Sequence, residues 1–277
     1  MRWRSGLVTA ALLTTAESLA LPAPTLEQLL DRMGEYLLEY ETQLSSVVAE
    51  ERFEQRVTRA ATMKVLESEI AFMRLPAGLE WLGFRDVRRV NFHPVKQTGP
   101  SISEVLTSSG GDIRKALSIA QESGRHNLGL PRTINVPTAP LEIIHPRNRA
   151  AHAYALEGSD RVRGVEAMVV SFTETARPTL VREPNGTYLI SSGRVWIEPK
   201  SGSVRRVEWS YQVEKRSPRA PQPPQVRVEF GPNAQLGFLV PLEMRERFHT
   251  ERGSGEGQAT YKNFRRFGTS VRIVPQP

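Results

Sequence analysis

The 277-residue chain contains no cysteine. That excludes disulfides, thiolate metal sites, a cysteine nucleophile and a lipid anchor carried on cysteine. Aspartate is scarce: Asp31, Asp86, Asp112 and Asp160 are the full set, and none lies in a D-x-D or calcium-loop context. The five histidines, His93, His126, His145, His152 and His249, form no H-E-x-x-H or H-x-H motif. His145 and His152 are separated by a proline and fit no ligand spacing. Serine is common, yet no G-x-S-x-G occurs and no S-x-x-K recommends itself. These absences lead to the expectation of a non-enzymatic protein without metal or cofactor.

Long apolar runs are missing as well, apart from Gly6 to Ala16. Arg2 and Arg4 precede that run, and Ser18-Leu19-Ala20 follows with small residues at the −3 and −1 positions of a cleavage site. The run is shorter than the roughly 20 residues a bilayer span needs, and Pro22 and Pro24 stop it. It reads as a signal peptide over 1–20, with Ala23 as the alternative cut; a cytosolic N-terminal helix is the competing reading. Export to the periplasm follows, with residues 21–277 forming one domain. The formal net charge is +7, but the arginines are scattered and no dense basic block appears. Nucleic acid is therefore not an expected partner, while peripheral contact with an anionic membrane is.

What the chain does have is alternation. Val207, Trp209, Tyr211 and Val213 are separated by polar residues, and the pattern recurs at Met168, Val170, Phe172 and at Leu236, Phe238, Val240. Period-two apolarity means strands with one dry face, an arrangement typical of antiparallel sheets. The expected strands are 47–57, 63–75, 80–92, 150–157, 166–174, 187–191, 193–198, 203–214, 225–230, 236–248, 258–266 and 269–274. Pro184-Asn185-Gly186 reads as a hairpin turn, and 214–225 as a proline-rich loop. Glu50-Glu51 and Glu67/Glu69 sit among arginines, as salt-bridged surface carboxylates would.

Two helices are expected. Thr25 and Gln28 form a capping box, followed by an apolar stripe from Leu26 to Leu44 with Gly34 inside it. Asp112 caps a second helix ending at Gly124, and a helical turn is read at 141–144. The fold class is α+β: a highly curved antiparallel sheet, an incomplete barrel, with the N-terminal helix and the 112–124 helix covering its open face.

The segment Gly193-Arg194-Val195-Trp196-Ile197-Glu198-Pro199-Lys200-Ser201-Gly202, with the strand Ser203 to Glu208, resembles the strand–turn–strand of the periplasmic lipoprotein-carrier (LolA/LolB-like) family. Leu239 to Met244 and Ala259 to Phe264 are similar to that family's closing strands. The chain is longer than those carriers by the 93–149 excursion and the 214–225 loop, and it lacks an anchoring cysteine. The resemblance implies an incomplete barrel with helices over its mouth, and a carrier's apolar face.

The expected ligand-binding lining is Leu66, Ile70, Phe72, Trp81, Met168, Val170, Phe172, Val207, Trp209, Tyr211 and Phe238. Arg205 and Arg206 would meet anionic headgroups. The ligand would be a lipid, an acyl chain or a lipidated protein, held by a monomer. The alternative is an envelope scaffold protein with a packed, ligand-free barrel, and an exported hydrolase is the third reading.

Overall fold

The computed structural model describes residues 24–57, 61–74, 81–97, 99–107, 112–129, 132, 134–183, 186–214, 222–250 and 253–267. The signal-peptide reading and the strand expected at 269–274 lie outside these residues.

Helix α1, Leu26–Leu44, opens with the capping box: Gln28 donates its backbone N–H to Thr25 Oγ1, and Thr25 N–H donates to Gln28 Oε1. Its stripe buries Leu29, Leu30, Met33, Leu37, Tyr40 and Leu44. Three strands follow, β1 (Val47–Val57), β2 (Thr62–Arg74) and β3 (Trp81–Val90), with a two-residue β4 (His93–Pro94). Short helices α2 (Ile102–Thr107), α3 (Ile113–Gly124) and α4 (Ala139–Ile143) then precede a 3-10 turn at Pro146–Ala151. The remaining strands are β5 (His152–Val162), β6 (Val165–Glu174), β7 (Val181–Arg182), β8 (Tyr188–Ile197), β9 (Val204–Val213), β10 (Gln225–Asn233), β11 (Phe238–Thr250) and β12 (Gly253–Arg266).

All the strands join one antiparallel sheet in the order β4-β3-β2-β1-β12-β11-β10-β9-β8-β6-β5, with β7 beside the end of β8. The terminal strands of that order do not pair, so the sheet is curved but not closed. The fold class is α+β, as expected. The two strands expected at 187–191 and 193–198 are one. Gly193 permits this: a Cβ there would lie 1.9 Å from the Glu208 carbonyl oxygen and 2.7 Å from Phe172. The glycine marks close approach to a neighbouring strand, not a break.

Parity decides what each face carries. Leu66, Ile70, Val170, Phe172, Val195, Val207, Trp209, Val228 and Met244 form one inner core with the α1 leucines. The outer face is a ladder of arginines and glutamates. It has an apolar patch where Ala71, Met73 and Phe84 meet Ile102 of α2 and Ala116 and Ile119 of α3, and a second where Val162, Ala167, Val169 and Trp196 cluster. Helix α3 thus covers the outer side of β2 and β3. Cover over the inner face comes from α1, from α4 and from Val136 and Ile144 beside it.

Candidate functional site

The inner face is where a curved sheet could hold a ligand, and α1 lies in it. Leu29, Leu37 and Leu44 are 0% exposed. Tyr40 meets Phe230 and Phe238 edge-on at centroid distances of 6.2 and 6.0 Å. The helix is also tethered on its polar side. Arg147 donates to Glu41 at 3.1 Å, and Arg149 reaches Asp31 and Glu27. Arg32 donates to the Pro199 carbonyl in the β8–β9 turn. Gly202 of that turn has φ +72, and a Cβ there would meet the Arg32 backbone at 2.3 Å. The W-I-E-P-K-S-G turn is therefore shaped by docking on α1 as well as by its own dihedrals. Gly34 packs on Pro146.

The structure gathers Leu66, Ile70, Phe72, Val170, Phe172, Val207 and Trp209 in this core, with Met168, Tyr211 and Phe238 partly buried against it. Their apolar surface packs on α1 and α4. Trp81 begins β3, but its side chain lies outside the described residues. Arg205 is engaged by Glu198, and Arg206 by Glu229 at 3.0 Å with its guanidinium 4.9 Å over Trp196.

Beside the apolar floor lies a buried polar layer. Arg85 makes a two-pronged ion pair with Glu51, and the two side chains are 4% and 0% exposed. Arg85 also donates to the Asn135 carbonyl at 2.9 Å. Asn135 donates to Asn127, and Asn127 to the Arg132 carbonyl. Arg132 reaches Glu246 at 2.7 Å and Gln55 at 3.1 Å, and its guanidinium stacks 4.0 Å from Phe248. This network fastens the chain around 127–138 to β1, β3 and β11. Desolvation opposes charge on Arg85, but Glu51 outweighs it and raises the guanidinium pKa. Burial pushes the neighbouring Tyr211 phenol up to about 12.

Glu51 was expected at the surface. The correction has a simple cause: Glu51 and Gln55 share parity with Ala49, Phe53 and Val57, so they face inward, whereas Glu50 faces out. Glu67 and Glu69 do form surface ion pairs, with Arg89 and with Arg88 and Arg265. The partners Arg132 and Asn135 come from an irregular connection that no periodicity flags.

A histidine, a carboxylate and a serine share another inner corner. His152 stands opposite Glu174 in register, and Ser191 donates its backbone N–H to Glu174 at 3.0 Å. No hydrogen bond links them as nucleophile and base. Among the described residues Ser191 Oγ and His152 Nε2 are buried without partners, and Glu174 is occupied by the N–H groups of Ser191 and Leu180. Among the described residues no group of three His, Asp or Glu is placed to hold a metal. A cavity of about 520 Å³ opens on the outer face, lined by Glu54, Arg56, Glu208, Arg227, Arg245 and Gln258 among others, and it is polar.

No protein-family model matches the chain. A search of curated proteins also finds no match. Solved structures do match. An outer membrane lipoprotein-sorting protein domain from Vibrio parahaemolyticus is 10% identical, with a TM-score of 0.45 over 87% of this chain and 94% of that one. A DUF1329 family protein from Desulfovibrio piger is 12% identical, with a TM-score of 0.39 over 87% and 93%. MucB in the MucA/MucB complex from Pseudomonas aeruginosa is 11% identical, with a TM-score of 0.23 over 86% and 99%.

Proposed function

We propose that the chain is an exported, non-enzymatic protein of the bacterial cell envelope that acts through its surface, as an interaction or scaffold protein with a packed interior. One observation supports this above the rest: α1 occupies the inner face, and Leu29, Leu30, Leu37 and Leu44 are as buried as the strand residues beneath them. A ligand would have to displace the helix and the apolar contacts it makes. Native mass spectrometry of protein purified from membrane-containing cells tests the reading. The expected result is the apo mass, with no displacement of a fluorescent fatty acid. A co-purifying lipid would overturn it.

That lipid result would favour the second reading, an acyl-chain carrier whose helix gives way. Trp209 Nε1 and the Tyr36 hydroxyl favour it, since both are buried without hydrogen-bond partners among the described residues. The ion pairs of Arg149 with Asp31 and Glu27 are partly exposed, and such pairs hold weakly. In that reading the lining named above is the binding surface.

A further inference from the structure

The two edges of the sheet are treated differently. At one, side chains and a proline close off β3. Val87 donates its N–H to Ser123 Oγ at 3.3 Å, and its carbonyl accepts from Gln97 Nε2 at 3.0 Å. The Arg88 carbonyl accepts the Val95 N–H at 2.9 Å, and β4 ends after two residues at Pro94. Short strands, proline and local cover are how an edge is kept from pairing with another chain.

The other edge is β5. Among the described residues it pairs with β6 alone, and Ala153 and every residue from Ala155 to Arg161 are exposed. The Ala151 carbonyl accepts the Thr175 N–H at 2.8 Å. Antiparallel alternation from that pair turns the backbone groups of Ala153 and Ala155 toward β6. It turns the N–H and C=O groups of Tyr154 and Leu156, and the His152 carbonyl, to the free side. The His152 N–H is taken by the Arg149 carbonyl. His152 to Leu156 carry no lysine, proline or carboxylate, and Leu156 is 42% exposed. The second half of the strand differs. A bulge falls between Leu156 and Gly158, Glu157 pairs with Arg194 at 2.9 Å, and Asp160 accepts the Trp196 side-chain N–H at 2.9 Å.

We infer that His152 to Leu156 is the pairing edge of a symmetric dimer, formed with the same segment of a second copy of this chain, antiparallel about Tyr154. Self-complementarity selects this occupant. In that register Tyr154 faces Tyr154 and exchanges both main-chain bonds, and the Leu156 N–H meets the free His152 carbonyl of the other copy. Ala153 stands opposite Ala155, so small side chains meet on the outer side. Glu157 falls opposite Ala151, so no two carboxylates face each other. The ends fit as well. Past Leu156 the second copy would run into the 3-10 turn at Pro146–Ala151, and the bulge bends its strand at that point. A short strand pair buries less than a standard interface, so the dimer is weak, with a dissociation constant on the order of 10⁻⁴ M. The monomer expected from the sequence is then one side of an equilibrium. The inference is independent of what fills the inner face.

The test is sedimentation velocity over concentrations from about tenfold below that constant to about tenfold above it, where monomer should give way to dimer. Ala153→Glu with Ala155→Glu should weaken the dimer about tenfold, because the register sets like charges opposite each other on both sides of the axis. Ala153→Lys with Ala155→Glu should not weaken it, because the same positions then attract. Both side chains are exposed in the monomer, and circular dichroism checks that each variant folds. Leu117→Glu, at an exposed position on α3, should dimerise as the parent does. The absence of cysteine adds a readout of register. Opposed residues that do not exchange main-chain bonds lie close enough for a disulfide. Ala153→Cys mixed with Ala155→Cys should therefore cross-link under mild oxidation in higher yield than either variant alone. No dimer over this range, a dimer indifferent to the paired glutamates, or no gain in cross-linking on mixing overturns the proposal. So does a monomer that instead takes up an uncharged extended peptide along β5.

Discussion

Residues one position apart on this sheet live in different media. Trp209 is 1% exposed under α1, whereas Glu208 lies on the outer face near Arg227 at 3.7 Å. Trp209→Ala should cost about 3–5 kcal/mol, the range for a large aromatic removed from a packed core. Glu208→Ala should stay within about 0.5 kcal/mol. Urea midpoints of the two variants check this, and similar small effects would place the strand in another register. The Glu51–Arg85 pair obeys another rule. Burial leaves either group, without the other, as an uncompensated charge in a poor solvent. Arg85→Met alone should therefore lose about 3–5 kcal/mol. Adding Glu51→Leu should recover much of that loss, so a double-mutant cycle should show strong coupling.

At the scale of elements, the β8–β9 turn joins local chemistry to packing. Burial pushes the Glu198 carboxyl up, but hydrogen bonds from Arg205 and Ser203 outweigh it and hold the pKa below the ordinary value. A depressed folded pKa contributes stability above the unfolded value and loses it as pH falls through the folded one. Glu198→Gln should therefore lower the thermal midpoint at neutral pH and flatten its fall in acid, which thermal scans across that limb would show. This turn was legible in the sequence because Pro and Gly fix its dihedrals, and the α1 capping box because side chain and backbone lie three residues apart. Strand alternation revealed the inner face at Val207, Trp209 and Tyr211 for the same local reason. The occupant of that face was not legible. Whether α1 or a ligand fills it depends on contacts between distant segments, and so does the choice of face for α3. The buried layer was half legible: parity marks Glu51 and Gln55 as inward, but nothing in the pattern announces Arg132 or Asn135.

At the scale of the molecule, α1 is either part of the core or a plug upon it, and the two differ in how it opens. If the helix belongs to the core, its amides from Leu37 to Glu41 should exchange hydrogen only with global unfolding, as those of β1 and β12 do. Native-state exchange measured at low denaturant checks this, and a separate, lower opening energy for α1 would mark it as displaceable. The sheet order has a consequence of another kind. Strands β1 to β4 form one meander and β8 to β12 another, and among the described residues the two pair strand to strand where β1 meets β12. The helix packs across that seam, touching residues of both. The last described strand is therefore the closing piece of the first, and the seam between them joins contacts far apart in the chain. Such contacts form late, because the loop they close must be ordered before they repay it. A growing or translocating chain would hold two unjoined meanders and an uncovered helix stripe until its final strand arrived. If the chain is exported unfolded, as proposed, it would not have to undo a finished core, and it would become one body only on the far side.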